Sequence, residues 1–154
     1  MGIASHLGSW LLGTVKNTTG TTAGTVRNMG ATTVAQTTPL TATQVAALTG
    51  SLGAIPAGAL IVGVAFYTST LFASATTLKV TIAGVDVAAA TTITAAGVFP
   101  VTLASTFASV AANVGSTDAL VTYTATGTSA TGAVTVFIEY VVRSADGTFN
   151  STSS

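Results

Sequence analysis

Charge is almost absent from this chain: four Lys or Arg and four Asp or Glu stand among 154 residues, 5% of positions, where an ordinary soluble domain carries about 25%. Whatever faces water must therefore be covered by Thr, Ser and small Ala or Gly, and Ala and Thr together fill 60 positions. A surface with no net charge and few interspersed charges resists association poorly. The sequence thus describes a chain whose working state is an assembly. Its 49% of hydrophobic residues excludes a disordered chain, and its length allows one domain with a real core. Two Lys and two Arg cannot neutralise many phosphates, which makes nucleic acid a poor partner. With no Cys, disulfide frameworks, thiolate zinc sites and cysteine nucleophiles fall away, and the redox compartment is left open.

The start Met1-Gly2-Ile3-Ala4-Ser5-His6 lacks the basic region of a signal peptide, and Trp10-Leu11-Leu12 is too short for its apolar core, so export is not indicated. Position 6 of the myristoylation pattern holds His6 instead of Ser or Thr. The uncharged stretch from Val45 to Phe66 has the length of a membrane span. Gly50, Gly53, Pro56, Gly58 and Gly63 interrupt it and its second half alternates as a strand does, so no membrane partner is expected.

Every Phe and Tyr lies after residue 65, and Trp10 is the only aromatic among the first 50 residues. That shift divides the chain into an extended Thr/Gly-rich N-terminal arm over 1–50, a sandwich domain over 51–145 and a loose polar tail over 146–154. Within the arm, Gly13-Thr14-Val15-Lys16-Asn17 is echoed by Gly24-Thr25-Val26-Arg27-Asn28. Two copies are too few for a solenoid, and β-branched Thr and Val suit extended segments. Having few large apolar side chains after Leu12, the arm cannot bury enough surface to fold alone and must use a partner's.

After the turn Ile55-Pro56-Ala57-Gly58, Leu60, Val62, Val64 and Phe66 fall on one face of a strand and Ile61, Gly63, Ala65 and Tyr67 on the other. Both faces are mostly apolar, which predicts burial on both sides. Leu78, Val80 and Ile82 alternate with Thr77, Lys79 and Thr81 as in a half-exposed strand, and Ala83-Gly84 makes a tight turn into Val85 to Val87. Short strands fit Thr91 to Thr94 and Val98 to Leu103. Leu120 to Thr126, the loop Gly127 to Gly132, and Ala133 to Arg143 read as a closing hairpin, with Val134, Val136, Ile138, Tyr140 and Val142 on one face. Helix is confined to Thr41 to Leu48 and to Ser105 to Val114, the latter equally readable as a loop. Strands at this spacing without long helices between them predict an all-β protein, an antiparallel β-sandwich or jelly roll.

Catalytic chemistry finds little footing. The only His is His6, so a Ser or Thr nucleophile lacks a base. Asp86, Asp118, Glu139 and Asp146 show no spacing that pairs two carboxyls or gathers metal ligands. Asp118 and Asp146-Gly147 read as turn residues. The loop Gly127-Thr128-Ser129-Ala130-Thr131-Gly132 has phosphate-loop spacing, but Ala133 stands where Lys is needed. Asn17-Thr18-Thr19 and Asn150-Ser151-Thr152 are chance sequons in a Thr-rich chain. We therefore expect no enzyme, no catalytic residue, no cofactor and no metal. One charge feature remains: residues 1 to 85 carry Lys16, Arg27 and Lys79 without an acid, and residues 86 to 154 carry four acids against Arg143, a split of +3 and −3.

The stretches Gly24-Thr25-Val26-Arg27-Asn28-Met29-Gly30-Ala31-Thr32-Thr33-Val34-Ala35-Gln36 and Ile55-Pro56-Ala57-Gly58-Ala59-Leu60-Ile61-Val62-Gly63-Val64 resemble small virion proteins of tailed bacteriophages. The resemblance implies a head protein that decorates and cements the lattice of the major capsid protein, often as a homotrimer, on the surface of a virion assembled in the host cytoplasm. It brings no catalytic residues. In that setting Trp10, Leu11 and Leu12 would anchor the arm and Lys16 and Arg27 would position it. The alternative is a head-fibre or tail component binding a host receptor or glycan through its loops, with Phe72, Phe107 and Phe149 as the candidate aromatics.

Overall fold

The computed structural model describes residues 33–73 and 75–142. Strand β1 (Thr33–Thr41) turns Val34, Gln36, Thr38 and Leu40 inward and leaves Thr33, Ala35, Thr37 and Pro39 exposed. It stops at Thr41, which caps the short helix α1 (Ala42–Ala46): the Thr41 hydroxyl accepts from the Gln44 amide, and the Gln44 side chain accepts from the Thr41 amide at 2.9 Å. Leu48, at φ 67°, then turns the chain into β2 (Thr49–Ile55). There follow β3 (Leu60–Thr70), β4 (Thr77–Ile82), β5 (Val85–Asp86), β6 (Thr91–Thr92) and β7 (Gly97–Pro100). A 3-10 turn (Ser105–Phe107) leads into α2 (Ala108–Ala112), and β8 (Ala119–Thr126) and β9 (Ala133–Val141) complete the described chain.

The strands form two antiparallel sheets, one ordered β1-β9-β3-β7 and the other β2-β8-β4-β5 with β6 also on β4. Packed face to face, they make an all-β sandwich, as the turn spacing predicts. Val134, Val136, Ile138, Val64 and Phe66 from the first sheet meet Leu78, Val80, Ile82, Val121 and Tyr123 from the second in one core. Phe107, fully buried, comes from the 3-10 turn, and α2 adds Ala111. Burial of this kind stabilises by about 25 cal/mol per Å² of apolar area.

Three expectations change. The division at residue 50 falls inside the sandwich, because β1 pairs with β9 along its whole length and β2 pairs with β8. Thr, Gln and Pro make β1 look like arm; what recruits it is alternation, with Val34 and Leu40 on its inner side. Nor is the β8 to β9 segment a hairpin: the two strands belong to opposite sheets, and the loop 127–132 arches over the end of the core. Alternation reads the same for a hairpin and for an arch, since each strand has one apolar face in either case. Finally, β3 is not buried on both sides. A bulge between Ile61 and Gly63 resets its alternation, so that Ile61, Val64, Phe66 and Thr68 face the core while Val62 and Tyr67 are 51% and 42% exposed.

The stretch Val45 to Phe66 is accordingly divided among α1, β2, a turn and β3, and among the described residues no helix is long and apolar enough to cross a membrane. The tight turn at Ala83 and Gly84 is present, with φ of 52° and 78°, as the hairpin joining β4 to β5 requires.

The open side of the sandwich is tied by polar contacts. The bulge in β2 between Ser51 and Gly53 frees the Leu52 carbonyl, which accepts from the Gln36 side chain at 3.2 Å and the Thr38 hydroxyl at 3.1 Å. Both donors come from the inner face of β1, so the two edge strands are joined across the layers. The Tyr123 hydroxyl donates to the Gln44 carbonyl at 2.6 Å and fixes α1 over β8. On the second sheet Lys79 and Asp86 form an ion pair at 2.8 Å, and Thr81 donates to the same carboxylate at 2.8 Å. These hydrogen bonds, that of Lys79 first and that of Thr81 next, hold the Asp86 carboxyl below its ordinary value of 3.8.

The Thr68 hydroxyl is buried on the core face of β3 without a hydrogen-bond partner, so Thr68→Val should raise stability by about 1 kcal/mol, read as a higher urea midpoint at unchanged slope. Gly132 has φ 137°, and a Cβ there would collide with the buried Phe72 ring. Gly132→Ala should therefore cost about 2 to 4 kcal/mol, and a melting temperature equal to the parent's would contradict that packing. Because folding lowers the Asp86 value, its contribution is complete above the unfolded value of 3.8 and is lost as pH falls through the lowered folded one. Asp86→Asn should flatten that part of the acid limb in a titration of stability against pH.

Candidate functional site

The residues that the sequence singles out for partner binding, Trp10, Leu11, Leu12, Lys16 and Arg27, lie outside the described residues, as do His6, Arg143, Asp146 and Phe149. Within the sandwich the chemistry-bearing groups are dispersed. Asp86 is taken up by Lys79 and Thr81. Asp118 accepts from the Ala57 amide at 3.0 Å and so clamps the turn before β3, the turn role its sequence position predicts. Glu139 projects from the outer face of β9. Among the described residues no group of three or more His, Asp or Glu could hold a metal ion.

The loop 127–132 is occupied with its own structure. The Ser129 hydroxyl accepts from the Ala73 amide at 2.8 Å and donates to the Thr131 carbonyl at 2.5 Å. Of the three aromatics that could have served a loop-borne glycan site, Phe72 is 4% exposed and Phe107 is fully buried. Neither can stack on a sugar.

What distinguishes the sandwich is the contrast between its two outer surfaces. On the β2-β8-β4 sheet the register places Thr49, Thr124 and Lys79 in one rank, Ser51, Thr122, Thr81 and Asp86 in the next, and Thr126, Thr77 and Thr92 in a further one. The Thr77 and Thr126 hydroxyls are hydrogen-bonded to each other. Hydroxyl groups and one ion pair cover this face, with Leu120 as its exposed apolar side chain.

On the β1-β9-β3-β7 sheet, Thr37, Phe137, Ala65 and Pro100 form one rank and Pro39, Thr135, Tyr67 and Val98 the next. The rank on the other side of Phe137 holds Ala35, Glu139 and Gly63. Val98 is 65% exposed and Tyr67 42%. Glu139 is the one charge in these ranks. Sequence reading missed this surface, although its signal is present: β3 is apolar on both faces, and the folded chain buries only one.

Charge divides along the same lines. Residues 33–142 carry Lys79 against Asp86, Asp118 and Glu139, a net of −2, while residues 1–32 carry Lys16 and Arg27, a net of +2. The pairing of Lys79 with Asp86 removes one member from each side of the +3 and −3 split seen in the sequence. Comparison of the chain with models of protein families, with curated proteins and with solved structures finds no match.

Proposed function

We propose that this protein is a non-catalytic structural component of a bacteriophage virion that binds the lattice of the major capsid protein and stabilises it as a decoration or cement protein. The observation that carries the reading is the pairing of a charge-poor β-sandwich with a Thr/Gly-rich segment ahead of it. That segment has few large apolar side chains beyond Leu12 and bears only positive charge. Such a segment gains little by folding on itself and more by lying along exposed strand edges, where main-chain hydrogen bonds supply affinity. Trp10, Leu11 and Leu12 supply an apolar anchor, and Lys16 and Arg27 fix its position. Each contact is weak, but a lattice presents many copies at high local concentration, and avidity turns weak contacts into a clamp against pressure from packaged DNA. A receptor- or glycan-binding fibre has less support, since Phe72 and Phe107 are committed to the core.

Two measurements test the proposal. Sedimentation of a native lysate on a density gradient, with mass spectrometric quantification against the main co-sedimenting protein, should find this chain at hundreds of copies per particle. A handful of copies would place it in a fibre or adaptor, and its absence from particles would overturn the virion reading. Removal of residues 1–32 spares every sandwich strand and should abolish particle binding, with Trp10→Ala costing about 2 kcal/mol of it. Retained binding would refute the role of the arm.

A further inference from the structure

We infer that the outer edge of β1 is a strand-addition site, and that its occupant is the segment Thr25-Val26-Arg27-Asn28 of a second copy of this chain, laid parallel to Thr33-Val34-Ala35-Gln36. The inference takes from the virion reading only the premise that the chain works in an assembly. Trp10, Leu11 and Leu12 precede this segment and are left for the lattice. Three observations point to it.

The first is a recurrence that the fold explains. Thr14-Val15-Lys16-Asn17 and Thr25-Val26-Arg27-Asn28 are followed by a third form of the same pattern, Thr33-Val34-Ala35-Gln36. That third form is the first half of β1, an outer strand with Val34 packed toward the core and Thr33 and Ala35 exposed. Its Gln36 side chain reaches across the layers to the Leu52 carbonyl. A segment that repeats the pattern carries the same alternation and the same β-branched residues. It is suited to the same role one strand further out.

The second is the edge itself. In an antiparallel pair, the amide and carbonyl of one residue both point toward the partner strand or both point away from it. Pro39 has no amide hydrogen to give to β9, and the Thr41 amide goes to the Gln44 side chain, so the odd positions of β1 face away from β9. Thr33, Ala35 and Thr37 therefore line the open edge with main-chain donors and acceptors until Pro39 ends the row. That row matches the length of the recurring pattern. The other outer strands among the described residues are blunted: β2 bulges between Ser51 and Gly53, β7 is short and ends at Pro100, and β5 and β6 have two residues each.

The third is register and charge. In the parallel arrangement Thr25 falls beside Thr33, Val26 beside Val34, Arg27 beside Ala35 and Asn28 beside Gln36, like against like. An antiparallel strand with Arg27 at Ala35 would set Val26 against Gln36 and Asn28 against Val34. Glu139 stands directly across Ala35 on β9, with Gly63 on its far side. Only the Ala35 methyl then separates the carboxylate from Arg27, across two strand spacings of about 4.8 Å each, which the two long side chains span. Parallel neighbours need a connection of about a dozen residues or more, and four residues separate Asn28 from Thr33. The added strand accordingly comes from another copy. Main-chain hydrogen bonds supply the affinity, and the head-to-tail contact continues from copy to copy into a ring or a chain.

The chain has no Cys, so introduced pairs report the contact directly. Thr25→Cys combined with Thr33→Cys in the full chain should give disulfide-linked multimers on mild oxidation, since neighbouring strands hold Cα atoms about 5 Å apart, within disulfide range. Thr25→Cys combined with Leu120→Cys, on the hydroxyl face, should give far fewer. Sedimentation equilibrium over a concentration series should show reversible association of the parent. Lys16→Glu with Arg27→Glu should weaken it about two- to fivefold, which is the scale of an exposed ion pair. Glu139→Lys should do the same at an unchanged melting temperature, and joining all three changes should restore the parent's association. Disulfides confined to single chains, or multimers formed equally through Leu120→Cys, would overturn the inference. So would a parent that is monomeric throughout, or a triple variant that stays weak. The virion reading is decided by copy number in particles and can fail or hold independently of these outcomes.

Discussion

The two sheets of this protein cannot exist apart, because the chain changes sheet at nearly every connection. β1 lies in one layer, β2 in the other, β3 returns to the first and β4 goes back to the second. Only the β4 to β5 turn joins neighbouring strands of one sheet as a tight hairpin. Each sheet is therefore assembled from segments far apart in sequence, as in the pairings of Thr49 with Thr124 and of Thr33 with Val141. What holds it is burial of the alternating Val, Ile, Leu and Phe rows of the two layers against each other.

Polar groups then decide the details that burial leaves free. Apolar packing is indifferent to small slides between layers, but the Leu52 carbonyl receives both Gln36 and Thr38 in only one alignment. The bulge that exposes that carbonyl is thus a registration device as well as a kink. Tyr123 acts likewise: its ring fills the core side of β8 while its hydroxyl holds the carbonyl of Gln44 in α1. Asp118 does the same for the turn ahead of β3, reaching the amide of Ala57. In a chain with so few charges, hydroxyl, amide and carboxylate contacts to the backbone carry the specificity that ion pairs supply elsewhere.

Strand existence was legible in the sequence wherever alternation and turn chemistry agreed. The row Leu78, Val80, Ile82 and the Ala83-Gly84 turn specify β4 and β5 locally, and Thr41 with Gln44 specifies the start of α1. Partnership between strands was not legible, because β8 and β9 show the same apolar rows whether they pair or face each other. Nor was the bulge at Val62, since a bulge in a strand apolar on both faces leaves no trace in the pattern. The assignment of β1 to the arm failed for a related reason. Composition reports how much a segment can bury alone, whereas an edge strand borrows its burial from the sheet it joins. The residues proposed to bind the capsid precede the described sandwich, so their reading rests on sequence composition and charge.

The scarcity of charge and the apolar outer face are parts of one argument. Desolvating a charge on association costs more than desolvating a hydroxyl, and far more than desolvating a methyl group. A surface meant to be covered is therefore best built from Val, Pro, Ala and aromatic groups, and a surface meant to stay wet with few charges is suitably built from Thr. The β1-β9-β3-β7 face carries Val98, Tyr67, Phe137 and Pro100 together with Thr37, Thr135 and Glu139, and the β2-β8-β4 face is covered by hydroxyls except at Leu120 and the Lys79 and Asp86 pair. That pair is internally neutral, so it adds no net field to the wet face. Among the described residues, the charges outside that ion pair are Asp118 and Glu139. With a Debye length of about 8 Å at physiological salt, such isolated charges act only on near neighbours. They can align contacts that apolar burial has already brought together, and they are too few to steer association from a distance.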